Sequence, residues 1–441
     1  MAGETGTGVF ERKGRDFRQT GDVLLAVGLS LVAIAAFEWV LEANSGRLLL
    51  TTALLCVIAL AFVWVRYQDL GPSLAVLIRV PALLFGIYAF FAWLPTLPET
   101  GSATTMWVRG APVLALCTAV LAMFRPSFAI VTYGVVNLRH FAMEEMWHIR
   151  MWGADIAPVW ESLTWLLLAG LLVVLLRSVR RDGKPVFFAS SEGAYGEARV
   201  AIVFTFIGLH FANYFWSAIA KIELDGPFLN WVFQNPTNAL VDVAREGKFL
   251  PFQHFDGLTD LLLWTAAVLV VPLNAITLGT QLLGLVASLR RRLAMTFAVF
   301  YDIQHLAIFL LTGIFFWKWI IINLVVVRAA KLAPRPSGLC MSLAFLATLL
   351  SPLGFHIVKL GWYDSRASNL IQVEAVMGDG TSVALPSNFF GPFSLYLARM
   401  DFPPGLFPPL FPTGSWGTSA SSEIMEKGMD CSLATRAGSR Q

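Results

Sequence analysis

Long apolar runs separated by short charged clusters dominate the chain. Runs over residues 23–41, 48–65, 73–94, 111–124, 127–138, 159–176, 200–220, 258–289, 295–327 and 339–358 predict helices. Several of them approach or exceed the roughly 20 residues that cross a bilayer. The fourth and fifth runs are short and flank Arg125-Pro126, so they read as one kinked helix or a tight helical hairpin. The runs from 258 and 295 are long, and each is tilted, kinked (the first near Pro272) or split. Nothing repeats the alternating segments of roughly ten residues that mark an outer-membrane barrel. The expected fold is therefore an all-α polytopic membrane bundle of roughly eight to ten spans.

After Gly361 the pattern turns polar. Residues 369–376 and 381–385 flank Gly378-Asp-Gly380 and predict a β-hairpin in a small extramembrane segment. A Pro-, Gly- and Phe-rich stretch over 402–416 follows, then a disordered Ser-bearing tail. The expected organisation is a basic tail over 1–21, a membrane domain over 22–360, the small segment over 361–416 and the tail over 417–441.

Composition agrees with this reading. The 441 residues are 56% hydrophobic and 14% charged, whereas soluble domains hold about 45–50% apolar and 25% charged residues. The net charge of +3 is spread over clusters beside the runs, which speaks to topology and lipid headgroups and gives no case for nucleic acid. Arg12, Lys13, Arg15 and Arg18, then 177–184 and Arg290 to Arg292, place those segments in the cytoplasm by the positive-inside bias. The expected location is the inner or plasma membrane, with a cytoplasmic, uncleaved N-terminus and membrane lipids as partners. Arg328, Lys331 and Arg335 mark a further inside loop only if the run from 295 crosses twice. The four cysteines lie far apart and imply neither a disulfide framework nor a metal site.

Polar residues inside apolar runs are the candidates for chemistry. His210, Tyr214, Ser217 and Lys221 fall at i, i+4, i+7 and i+11, one stripe of a helix, with Glu223 and Asp225 just beyond. A partly desolvated Lys can act as a base, whereas a Lys at a helix end can also simply snorkel to water while His210 and Ser217 bond neighbouring helices. Asp302, His305 and Thr312 share a face of the run from 295. The Asp can orient the imidazole for proton transfer, but a double crossing would put Asp302 near a turn and make it much less meaningful. His140, Glu144, Glu145 and His148 form a third set, in which two His and a carboxylate can hold a metal or simply face an interface; no metal motif is met. His254 and His356 stand alone and read as structural.

Asn213-Tyr-Phe-Trp-Ser-Ala-Ile-Ala-Lys-Ile-Glu223, followed by Trp231, resembles the "Tyr-Phe, small residues, Lys" helix of the HTTM group, the horizontally transferred transmembrane proteins related to vitamin K-dependent γ-glutamyl carboxylase. His305-Leu-Ala-Ile-Phe-Leu-Leu-Thr-Gly-Ile-Phe-Phe-Trp317 is similar to a later helix of that family. The resemblance covers about 22–361 and implies a carboxylase-like, quinone-dependent membrane enzyme. By that resemblance Lys221 is the base that deprotonates a reduced quinone; the polar stripes themselves add His210 and His305 as further catalytic candidates and Tyr214, Ser217, Asp302, Thr312 and His140 as candidates to line the substrate. The family's Trp-Asn-Asn-His segment has only Asn137-Leu-Arg-His140 as a counterpart, and only 361–441 replaces the long lumenal region. Two alternatives stand beside this expectation: a transporter or channel with a polar pathway, and a non-catalytic membrane scaffold.

Overall fold

The computed structural model describes residues 7–44, 46–91, 103–147, 157–181, 184–188, 192–223, 228–235, 237, 241, 250–252, 254–313, 315–358, 370–371, 374–384 and 411–412. Among them the main elements are α1 (Thr7–Ala43), α2 (Leu48–Ala61), α3 (Tyr67–Leu70), α4 (Pro72–Phe91), α5 (Ala103–Ala122), α6 (Phe128–Trp147), α7 (Ala157–Ser178) and α8 (Glu192–Glu223). There follow α9 (Asn230–Gln234), α10 (Asp256–Val268), α11 (Val270–Leu282), α12 (Gly284–Ala287), α13 (Arg291–Thr312), α14 (Trp317–Leu332) and α15 (Gly338–Leu350). Seven helices among the described residues are long and apolar enough to cross a membrane, and the chain is an integral membrane protein.

The breaks between elements have local causes. Pro126 lies in the link between α5 and α6, and the two helices pack against one another as a hairpin, with Thr118 and Thr132 hydroxyls 3.0 Å apart across it. Pro272 cannot donate to residue 268, and the long run parts at Leu269 into α10 and α11. The run from 295 is also two helices, because Gly313 closes α13 in the left-handed region (φ 72°) that glycine adopts without strain. The break does not bring Asp302 to a turn: it lies midway along α13, about 16 Å of helix before Gly313. Ser337 caps α15 by accepting from the Cys340 amide at 3.3 Å.

The core is built around α8 and α7, whose spans are 89% and 83% buried, against 28% for α1 and α13 and 22% for α11 with α12. Exposed Leu24, Val32, Ile276, Val299 and Ile303 lie on those outer helices, where lipid is their solvent. α15 runs alongside α8 in the same direction. Ser337 donates to Glu197 (2.6 Å) at one level and Thr348 donates to the Gly208 carbonyl (3.0 Å) further along. The backbones approach so closely that a Cβ on Gly208 would lie 2.1 Å from the Ala344 carbonyl oxygen, the small-residue contact by which membrane helices pack.

Basic clusters gather at one end of this bundle. Tyr195 and Arg199 at the start of α8 both donate to the Asp69 carbonyl (2.5 and 3.3 Å), and the Arg177 guanidinium lies 4.1 Å from the Tyr195 ring centre. Arg291 donates to the Lys331 carbonyl (2.7 Å), and Asp22 of α1 accepts from the Phe188 amide (3.0 Å). Lys221 lies at the opposite end of α8. In the polar C-terminal part, Glu374–Val376 and Ser382–Ala384 pair antiparallel. In the turn between them Thr381 donates twice to Asp379 Oδ1, which holds that carboxyl below its usual range.

Candidate functional site

α8 meets α13 and α14 in the middle of the bundle, and their polar residues form one network. His210 Nε2 and Asn323 Oδ1 are 2.7 Å apart. The Asn323 amide nitrogen donates to Asp302 Oδ1 at 2.8 Å and to the Tyr214 hydroxyl at 3.0 Å. These four residues and His305 are all buried; His210 and Asn323 are 0% exposed. A polar cluster in hydrocarbon is costly unless satisfied from within, so three unsatisfied atoms stand out here. His210 Nδ1, His305 Nδ1 and Asp302 Oδ2 are buried and have no hydrogen-bond partner among the described residues.

Aromatic rings enclose the network. Tyr214 and Tyr301 stack with centroids 3.6 Å apart, and Tyr301 donates to the Thr280 carbonyl at 3.1 Å. Trp319 is 5.6 Å from the His210 ring and 6.4 Å from the His305 ring, while Tyr214 is 5.8 and 5.9 Å from the same two. Phe316, just after the Gly313 break, lies 5.2 Å from His305. Both imidazoles are buried, His210 at 0% and His305 at 8% exposure.

The sequence stripe on α8 is therefore divided. His210 and Tyr214 join His305 and Asp302, but Asp302 binds Asn323 and not the imidazole three residues on. Lys221 lies about 16 Å of helix beyond His210. It is 1% exposed, donates to Ser217 at 2.8 Å and faces the Trp231 ring at 5.4 Å, in a small cluster with Ala218, Val232 and Leu278. Its side chain is buried and does not reach out to water, and Glu223 beside it is exposed. Asp225 and His148 lie outside the described residues, as do the side chains of Thr312, His140, Glu144 and Glu145; Thr312 ends α13, and the last three fall within α6.

Asn323 is the member that the sequence pattern did not single out. Its signal is a lone amide in Ile-Ile-Ile-Asn-Leu-Val-Val-Val, which the length of the surrounding run hid. His356 is not solitary: its backbone amide donates to Glu161 Oε2 at 2.6 Å, and its Nδ1 lies 3.4 Å from the same oxygen. That carboxylate is nearly buried at the start of α7, whereas the imidazole is 87% exposed. No group of three or more His, Cys, Asp or Glu with metal-binding placement occurs among the described residues. Comparison of the chain with protein-family models, with curated proteins and with solved structures finds no match.

Proposed function

We propose that the site formed by His210, Asn323, Asp302, Tyr214 and His305 is an acid–base centre that takes a proton from a lipid-phase hydroxyl, a reduced quinone being the substrate class. The observation that carries this reading is the set of three buried, unpartnered polar atoms on His210, His305 and Asp302. Unpartnered buried atoms also occur elsewhere in the bundle, on Ser127, Thr205 and Gln281 for example, but here three belong to titratable residues gathered around one amide. Here the bonds through Asn323 hold the helices, and three further atoms are left directed at nothing. Aromatic walls suit a flat ring, and exclusion of water strengthens every polar contact made inside. In the step itself the quinol O–H bond breaks, the proton forms an N–H bond on an imidazole, and the quinolate oxygen keeps the electron pair.

Likeness to the HTTM proteins supports the same substrate class and assigns the base differently, to Lys221. The burial of Lys221 favours that second reading; its contacts with Ser217 and the Trp231 face suit a held cation and favour the first. The positive-inside bias supports a cytoplasmic basic end and an inner or plasma membrane, with the Lys221 end on the far side.

The test uses the full chain in lipid nanodiscs with decylubiquinol. Quenching of tryptophan fluorescence reports binding, and a pH-indicator dye reports proton movement. Saturable binding that His210→Phe and Asp302→Leu weaken at least tenfold, with Lys221→Met little changed, is the expected result. Loss of proton movement on Lys221→Met alone moves the base to Lys221. No saturable binding by the unmodified protein overturns the quinol reading and leaves the network as helix glue.

A further inference from the structure

We infer that Asn323 is the positioning residue of this centre: it fixes His210 as the Nε2–H tautomer and so makes Nδ1 the proton-accepting atom. The inference rests on the reading of the network as an acid–base site, and its geometric part stands without it. An amide has one acceptor oxygen and one nitrogen with two N–H donors. Both donors of Asn323 have acceptors in place, Asp302 Oδ1 at 2.8 Å and the Tyr214 oxygen at 3.0 Å. The amide oxygen is then the atom that faces His210 Nε2 at 2.7 Å. An oxygen cannot donate, so Nε2 must carry the hydrogen. The tautomer is thereby decided at a distance from the imidazole, by what lies on the other side of the amide.

The consequence falls on Nδ1. In a neutral imidazole with hydrogen on Nε2, Nδ1 holds the lone pair. It is buried and has no donor within reach among the described residues. A hydrogen there would be an N–H donor with no acceptor, which costs the full desolvation of that group; a bare lone pair awaiting a donor is the state the surroundings accommodate. When a ligand proton arrives at Nδ1, the Nε2–H bond to Asn323 persists and strengthens, and the amide, polarised by Asp302, stabilises the imidazolium that forms. The opposite orientation of the amide would set its oxygen against Asp302 Oδ1. It requires Asp302 to be a neutral acid donating from that atom, and it would give His210 the Nδ1–H form.

Nitrogen NMR of the full chain in lipid bilayers, with histidine labelled at both ring nitrogens, decides between the two. Of the six histidines in the sequence, His210 is identified by the signal pair that His210→Gln removes. The expected result is an unprotonated Nδ1 and a protonated Nε2 in the unmodified protein without ligand. Asp302→Asn, which replaces a pure acceptor by a group that can donate or accept, is expected to mix the two tautomers, and Asn323→Leu to do so further. An Nδ1–H form or an imidazolium in the unmodified protein overturns the inference, as does a single unchanged tautomer in both variants that fold. Because the unmodified protein already decides the tautomer, failure of a variant to fold does not rescue the idea. Decylubiquinol binding is read separately: its absence with the expected tautomer rejects the quinol and keeps the positioning role.

Discussion

Two polar regions share α8 and differ in how their valences are filled. Around Lys221, the ammonium has partners close by: Ser217 accepts from it and Trp231 offers its ring face. Around Asn323, hydrogen bonds join three helices, yet three buried acceptor or donor positions stay unfilled. A buried cation beside an aromatic face is a resting arrangement. A satisfied amide surrounded by unsatisfied imidazole and carboxylate atoms is one prepared for something further. Burial does not distinguish the two, since Lys221 is as well buried as His210; the polar atoms left without a partner on His210, His305 and Asp302 do.

Activity is where this contrast has its largest expected effect. His210→Phe removes the accepting nitrogen while keeping a ring of similar breadth, and proton release from bound decylubiquinol should fall by roughly 10²–10⁴-fold, the usual worth of a general base. Lys221→Met should change the same rate by less than about tenfold, or about 1.4 kcal/mol of barrier. Stopped-flow indicator traces in nanodiscs measure both. A reversed order would mean that the Lys221 region is the reactive one.

Stability gives the next effect. Asn323→Leu strands His210 Nε2, Asp302 Oδ1 and the Tyr214 hydroxyl together, at about 1–3 kcal/mol for each group left without a partner in the interior. Ser217→Ala removes a single acceptor from Lys221, which retains Trp231, and should cost no more than about 1 kcal/mol, in line with hydrogen bonds between membrane helices. Thermal unfolding in one detergent, followed by circular dichroism, should show a clearly larger fall in midpoint for Asn323→Leu. Equal falls would show that the network is no more demanding than an ordinary polar contact.

Much of this was legible in the sequence, and the omissions have physical reasons. Apolar runs located most spans, because a bilayer demands long uninterrupted stretches and leaves little freedom in length. The same rule left open whether the run from 295 was one helix or two: both sides of Gly313 are apolar, so only the glycine's left-handed backbone marks the turn. Periodicity placed His210 and Tyr214 on one face and Asp302 and His305 on another, but the register between faces depends on how helices cross. Asp302 and His305 looked like partners at i and i+3; the cross-helix amide of Asn323 proved the better-placed donor for the carboxylate. Glu161 and His356 meet over 195 residues of separation, a pairing that no local pattern contains.

The smallest expected effect tests the quiet region on its own terms. If Lys221 is held as a cation by the Trp231 face, the attraction depends on the ring's negative face and on the positive charge together, and is worth about 0.5–2 kcal/mol. Trp231→Leu should then cost stability through both lost packing and lost attraction, while Trp231→Phe keeps a face and costs less. Packing and attraction are separated by repeating each change in a Lys221→Met background, since the neutral side chain retains the volume without the charge. A coupling of about 0.5–1 kcal/mol between Trp231 and Lys221, read from unfolding midpoints, is expected for a cation in contact with the indole. Zero coupling would mean that Lys221 does not rely on the indole as a cation does; it would free this lysine for the role of base and erase the contrast between the two ends of α8.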